Sequence, residues 1–140
     1  MKHVKKALFI LILAISMSST CKKNDGHEYV TFANESDKEI VCQRFLSKSI
    51  DTLFRCRTGA IGIPAGSLYG FPSGDRSWEA DLRDSYYVHF LVMDAETYDK
   101  YITAPCDTIR KYVPILHTYR ITLSDLQRMN WTVVYPPYQE

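Results

Sequence analysis

The chain holds no apolar run long enough to cross a bilayer. Its longest, over residues 7–17, is about half of the roughly 20 residues that a span needs, and Ser16 interrupts it. There is no HExxH, no GxSxG, no phosphate-binding glycine loop and no calcium-loop spacing, so no motif nominates metalloprotease, serine-hydrolase, nucleotide or EF-hand chemistry. No two of the four cysteines stand in CxxC spacing, which removes zinc-ribbon and thioredoxin-type readings. His27, His89 and His117 lie far apart and in no ligand spacing. No cofactor and no metal are therefore expected. Internal repeats and low-complexity tracts are missing as well. So is a basic excess: 17 Lys+Arg meet 16 Asp+Glu, which leaves nothing to attract nucleic acid.

What is present begins at the N-terminus. Lys2, Lys5 and Lys6 precede an unbroken apolar stretch over residues 7–15, and Ser16, Ser18, Ser19 and Thr20 lead to Cys21. A basic start, a short apolar core and a small-residue exit make up a secretory signal peptide. Ser18-Ser19-Thr20-Cys21 resembles the lipobox of bacterial lipoproteins, with Ser18 and Thr20 where Leu and Gly or Ala are usual. The resemblance implies cleavage before Cys21 and lipid on its sulfur. Each buried methylene contributes about 0.8 kcal/mol, and two or more chains hold where one does not. The expected organisation is a leader over residues 1–20, a lipidated cysteine and flexible tether over 21–28, and one domain over 29–140. Loss of the leader removes three lysines and no acid, giving 14 Lys+Arg against 16 Asp+Glu.

The remaining residues read mainly as strands. Residues 29–33 alternate, with Val30 and Phe32 on one face. Residues 34–37 form a turn cluster, and 38–46 and 51–57 are the next strands. A short strand over 61–63 runs into a Pro-Gly turn. Residues 86–93 make the strongest strand, largely apolar on both faces, as expected of a central strand covered on both sides. Three short helices follow: one capped by Asp94, one over 105–112 with Pro105 in its first turn, and one opening at the box Ser124-Asp125-Leu126-Gln127. A strand over 131–135 ends at Pro136-Pro137. The expected fold is mainly β, an antiparallel β-sandwich-like domain with two or three short helices in the C-terminal half; an immunoglobulin-like strand order is one arrangement of that kind.

Export would place Cys42, Cys56 and Cys106 where disulfides form. Cys42 and Cys56 fall on consecutive expected strands, so a bridge between them is a candidate, worth about 3 kcal/mol in the chain-entropy model. Three cysteines allow three single bridges, and all three can equally be small buried residues.

Tyr69, Phe71, Trp78, Tyr86 and Tyr87 crowd into a stretch rich in Gly, Pro and Ser. In loops, such rings stack on sugars or anchor protein contacts; in a core they only pack. The expectation is a non-enzymatic module that binds a glycan or an envelope protein. The rival is a lipid-anchored hydrolase acting on envelope or dietary glycans, using carboxylates among Asp75, Glu79, Asp81 and Asp84. A glycosidase needs two of them about 5–9.5 Å apart, and a solvated charged loop accounts for the same residues more simply.

Residues 119–136 resemble the "RY-x-LT-x-x-DL-x-x-x-NWT-x-x-YP" ending of small uncharacterised lipoproteins of Bacteroidota-type bacteria. Tyr119, Thr122, Asp125, Leu126, Asn130, Trp131, Thr132, Tyr135 and Pro136 carry the pattern, with Thr118 and Ile121 departing from it. The resemblance implies a β-rich domain in the cell envelope, anchored to the outer membrane, and no particular activity. Acidic residues after the anchor accompany surface export in similar proteins; Asp25 alone, among residues 22–25, leaves the periplasmic and surface faces both open. The same origin implies O-glycosylation at Asp-(Ser/Thr)-(aliphatic), which makes Thr52 and Thr108 candidates. The structural reading of this ending packs Leu123, Leu126, Met129 and Trp131 onto the core.

Overall fold

The computed structural model describes residues 26–48, 59–83 and 86–138. Their elements run β1 (Tyr29–Asn34), β2 (Ile40–Ser47), β3 (Ala60–Ile63), β4 (Leu68–Pro72), α1 (Trp78–Leu82), β5 (Tyr87–Asp94), α2 (Ala95–Tyr101), α3 (Cys106–Tyr112), β6 (Ile115–Ile121), α4 (Leu123–Arg128) and β7 (Thr132–Tyr135). A three-stranded sheet in the order β4-β1-β7 faces a four-stranded sheet in the order β3-β2-β5-β6. All pairings are antiparallel except β1 with β7. The domain is mainly β and sandwich-like, as its patterning predicts.

Period-2 alternation decides which side chains meet. Val30 and Phe32 of β1, Phe71 of β4 and Val133 of β7 close on Ile40 and Cys42 of β2 and Val88, Phe90 and Val92 of β5. The ring of Phe90 lies 5.3 Å from Phe32 and 5.2 Å from Phe71, which fixes the spacing of the sheets. The opposite face of the four-stranded sheet turns Val41, Leu91 and Met93 toward Ala95 and Tyr98 of α2 and Ile109 and Val113 of α3. The fold therefore has three layers, and β5 is covered on both sides. Every residue from 88 to 93 is at most 3% exposed, and each large apolar side chain so buried contributes roughly 1.5–3 kcal/mol.

Two ends can be distinguished. At the far end, Asn34 closes β1 and donates from Nδ2 to the carbonyls of Lys38, Ile63 and Pro64. Nearby, Ser67 donates its backbone N–H to Pro64, closing a turn in which Gly66 takes φ +67°. At the near end, α1 and α4 close the sandwich with Trp78, Leu82 and Leu126. Ser77 caps α1, and the Asp94 carboxylate accepts from the Thr97 N–H to cap α2.

Helix α4 begins two residues earlier than its sequence suggests. Thr122, rather than Ser124, is the N-cap, and Thr122 and Asp125 form a reciprocal capping box. Hydrogen bonds from Thr122, first from its hydroxyl, hold the Asp125 carboxyl below the usual carboxylate value. The helix ends in a Schellman motif: the Asn130 N–H donates to the Gln127 carbonyl and the Trp131 N–H to the Leu126 carbonyl. Asn130, just past the C-cap, accordingly takes positive φ, at 49°, and Trp131 after it takes 59°. Helix α1 is an addition to the three expected helices. The expected strand over 51–57 lies outside the described residues.

Candidate functional site

The open side of the sandwich, where edge strand β6 faces edge strand β7, holds a groove of about 380 Å³. It is lined by Tyr119, Met129, Val133, Val134, Pro137 and Tyr138, with Thr132 at its margin. Tyr119 builds it. Position 119 shares the inward face of β6 with Ile121, which sets its ring edge-on to Phe32 at 5.8 Å. Its hydroxyl reaches across and donates to the Val134 carbonyl at 2.6 Å, tying one sheet to the other. Burial pushes that phenol well above its ordinary pKa, so it remains a donor. The same bond occupies an outward carbonyl of β7, an acceptor that an added strand would otherwise use. Tyr138 is 73% exposed at the other wall, its hydroxyl near the Glu35 carboxylate. A second hollow, of about 360 Å³, shares Tyr119 and Met129 and adds Arg120, Ile121, Asp125 and Arg128, of which Asp125 and Arg128 form an ion pair. The arrangement offers aromatic faces, a thioether and branched aliphatic surface with few charges. That chemistry suits contact with a sugar face or an apolar side chain.

The near end carries a different construction. His27 Nδ1 lies 2.6 Å from Glu79 Oε1, and the His27 backbone N–H donates to Glu79 Oε2 at 2.8 Å. The imidazole stacks on Trp131 with centroids 3.8 Å apart and planes 16° from parallel. Trp78 donates its backbone N–H to the His27 carbonyl, and Ser73 donates to the Glu28 carbonyl. A Cβ on Gly26 would come within 2.4 Å of Ser77 Cβ. Residues 26–28 are thus fastened to the domain, which shortens the expected tether over 21–28 at its C-terminal side. Glu79 is held below the ordinary carboxylate value: its burial would raise it, but the bonds from His27 outweigh this.

The expected aromatic patch does not form. Trp78 is fully buried and Phe71 is 4% exposed, both in the core between the sheets. Tyr69 packs edge-on against Phe71 at 4.8 Å. Tyr87 opens β5 of the other sheet under Arg120, and Tyr86 just before it lies under Lys48. Alternation explains the outcome, because 69 and 71 share the inward face of β4 whereas 87 lies on the outer face of β5. The bridge between Cys42 and Cys56 is also not formed: Cys42 is free and buried. Its side chain points between the sheets among Phe90, Val92 and Ile63, a dry apolar site. Cys106 is disulfide-bonded, with a partner outside the described residues. Cys21, Cys56 and Thr52 lie outside them too. Thr108 sits half-buried in α3. Of the acidic stretch, Glu79 holds His27 and Asp81 pairs with Arg76 at 3.6 Å; Asp84 lies outside the described residues. The expected packing of the C-terminal ending is present, with Leu126 buried and Leu123, Met129 and Trp131 against the core.

Compared with family models, curated proteins and solved structures, the chain matches none. Among the described residues, no helix is long and apolar enough to cross a membrane, and no three His, Cys, Asp or Glu side chains converge as metal ligands. The groove between β6 and β7 escaped the sequence reading because its walls come from three separate segments. The C-terminal pattern singles out Tyr119, Thr132 and Pro136 at or beside it, which is the one signal that points there.

Proposed function

We propose that this chain is a membrane-anchored envelope lipoprotein, similar to the small lipoproteins of Bacteroidota-type bacteria, whose domain binds a glycan or a protein partner without chemical turnover. The observation that supports binding is the groove of Tyr119, Met129, Val134, Pro137 and Tyr138, an apolar aromatic hollow on the open side of the sandwich. The leader and Cys21 support the anchor, and the outer membrane is the membrane we infer. The binding site moves from the aromatics around Trp78, of which Trp78 and Phe71 are core, to this groove.

The test is a binding screen of the purified protein against glycans and solubilised envelope proteins, with Tyr138→Ala and Met129→Glu alongside. Tyr138 is largely exposed, so its loss leaves folding intact. Binding that weakens about tenfold in either variant, or roughly 1.4 kcal/mol, supports the reading. Binding indifferent to both, or no binding at all, overturns it. Glycan turnover lost on replacement of an acidic residue, with folding intact, would establish the hydrolase instead.

A further inference from the structure

We propose that the near end of the sandwich, formed by α1, α4 and the loop over residues 73–77, is the face that lies against the phospholipid surface, and that the clip of residues 26–28 holds it there. The inference rests on the anchor reading at Cys21 and adds to it the orientation of the domain.

The chain enters the domain at Gly26, seated against Ser77. Only five residue steps separate Gly26 from Cys21. Fully extended, they span at most about 18 Å. The domain is longer than that along its strands: β2 and β5 are eight residues each, or about 26 Å at the usual rise. With the clip closed, the far end, carrying Asn34, Gly66 and Leu68, cannot come round to the headgroups. The near end has no such restriction. Five contacts hold the clip: two bonds from His27 to Glu79, the stack on Trp131, and the backbone bonds from Trp78 and Ser73. Release of residues 26–28 would lengthen the tether to eight steps, about 29 Å, and the restriction on orientation would vanish.

One consequence is that the hollow at the far end, lined by Lys38, Glu39, Asp94, Glu96 and Asp99, faces away from the bilayer. The groove between β6 and β7 opens to the side and stays accessible.

The experiment uses the processed full chain in vesicles of phosphatidylcholine and phosphatidylglycerol that carry a headgroup quencher. A fluorophore is placed at Arg76→Cys in the near-end loop or at Leu68→Cys at the far end; both positions are exposed, and Cys42 is buried away from the label. The label at 76 should be quenched several-fold more strongly than the label at 68. Gly26→Val, which forces the chain off Ser77, should erase most of that contrast while the protein stays on the vesicles. Equal quenching at both positions in protein that sediments with vesicles overturns the orientation and leaves the anchor standing. Protein that stays in the supernatant with unacylated Cys21 overturns the anchor reading and the orientation with it.

Discussion

Replacing Asn34 with alanine should destabilise the domain by about 3 kcal/mol, far more than a turn residue usually costs. The side chain is 1% exposed. Its amide nitrogen lies 2.8, 2.9 and 3.1 Å from the carbonyls of Lys38, Ile63 and Pro64, and its oxygen accepts from the Ser36 N–H and hydroxyl. Lys38 and Pro64 are exposed, so water can replace the lost donor there. Ile63 is 1% exposed, so its carbonyl would lose this bond where water does not replace it, at a cost of about 1–3 kcal/mol. The remaining bonds add about 0.5–1.5 kcal/mol each where they are not rehydrated. For a domain of roughly 110 residues, a total near 3 kcal/mol lowers Tm by about 12 °C. Asn34→Asp should cost more, because a carboxylate offers no donor and sets a charge against three carbonyl oxygens. Urea unfolding followed by circular dichroism measures both. Losses below about 1 kcal/mol in both variants would refute the idea that this one side chain joins the β1 end to the β2 and β3 ends.

Trp78→Ala should cost about 3–5 kcal/mol while leaving any ligand affinity of the folded protein unchanged; reduced affinity with unchanged stability would return Trp78 to a binding role. Burial pushes the Cys42 thiol far above its ordinary value, so an aromatic disulfide reagent should leave it untouched in the native protein and modify it only in denaturant; rapid native reaction would mean that the sheets part readily. His89 is fully buried, with neither ring nitrogen at hydrogen-bond geometry. Burial holds it below its ordinary value of 6.5, and Arg120 works in the same direction, while the Ser47 backbone pulls the other way. The unfolded chain therefore takes up a proton that the fold refuses, and stability should fall as pH drops through about 6.5 and recover above it. His89→Leu should flatten this dependence without loss at neutral pH; an unchanged slope would place the proton uptake elsewhere.

The layers were legible where alternation is unambiguous. Residues 88–93 are largely apolar on both faces, and a strand of that kind has to be covered twice, which fixes β5 at the centre before any partner is known. Caps were legible to within a turn: Thr122-x-x-Asp125 and Ser124-x-x-Gln127 overlap, and the backbone takes the first, with Leu126 inward. Helix α1 was not legible, since its only large apolar residues are Trp78 and Leu82, four apart in a charged stretch, and they read as core only once the sandwich end exists to receive them. The role of Trp78 fails for the same reason, because a ring near glycine and proline suits a loop or a core equally. Nothing local links His27 to Glu79, which stand 52 positions apart. The groove depends on where β6 and β7 come to rest, and β7 pairs in parallel with the first strand, the pairing of longest sequence separation in the fold.

The clip and the cap of α4 form one dependency, and Asn130 is where it can be broken. The Schellman bonds need residue 130 in the left-handed region, and Trp131 after it lies there as well. In that conformation the indole presents its face to His27, which in turn is held by Glu79. Asparagine tolerates this backbone, glycine tolerates it better, and a β-branched residue opposes it by about 1–2 kcal/mol. Asn130→Gly should therefore leave stability and the clip as they are. Asn130→Val should lose about 1–2 kcal/mol and, beyond that, expose residues 26–28 to protease although they lie about a hundred positions away in sequence. If Asn130→Val and Asn130→Gly matched in both stability and protease protection, the turn would not be what aims Trp131, and the stack on His27 would be incidental to the clip rather than part of it.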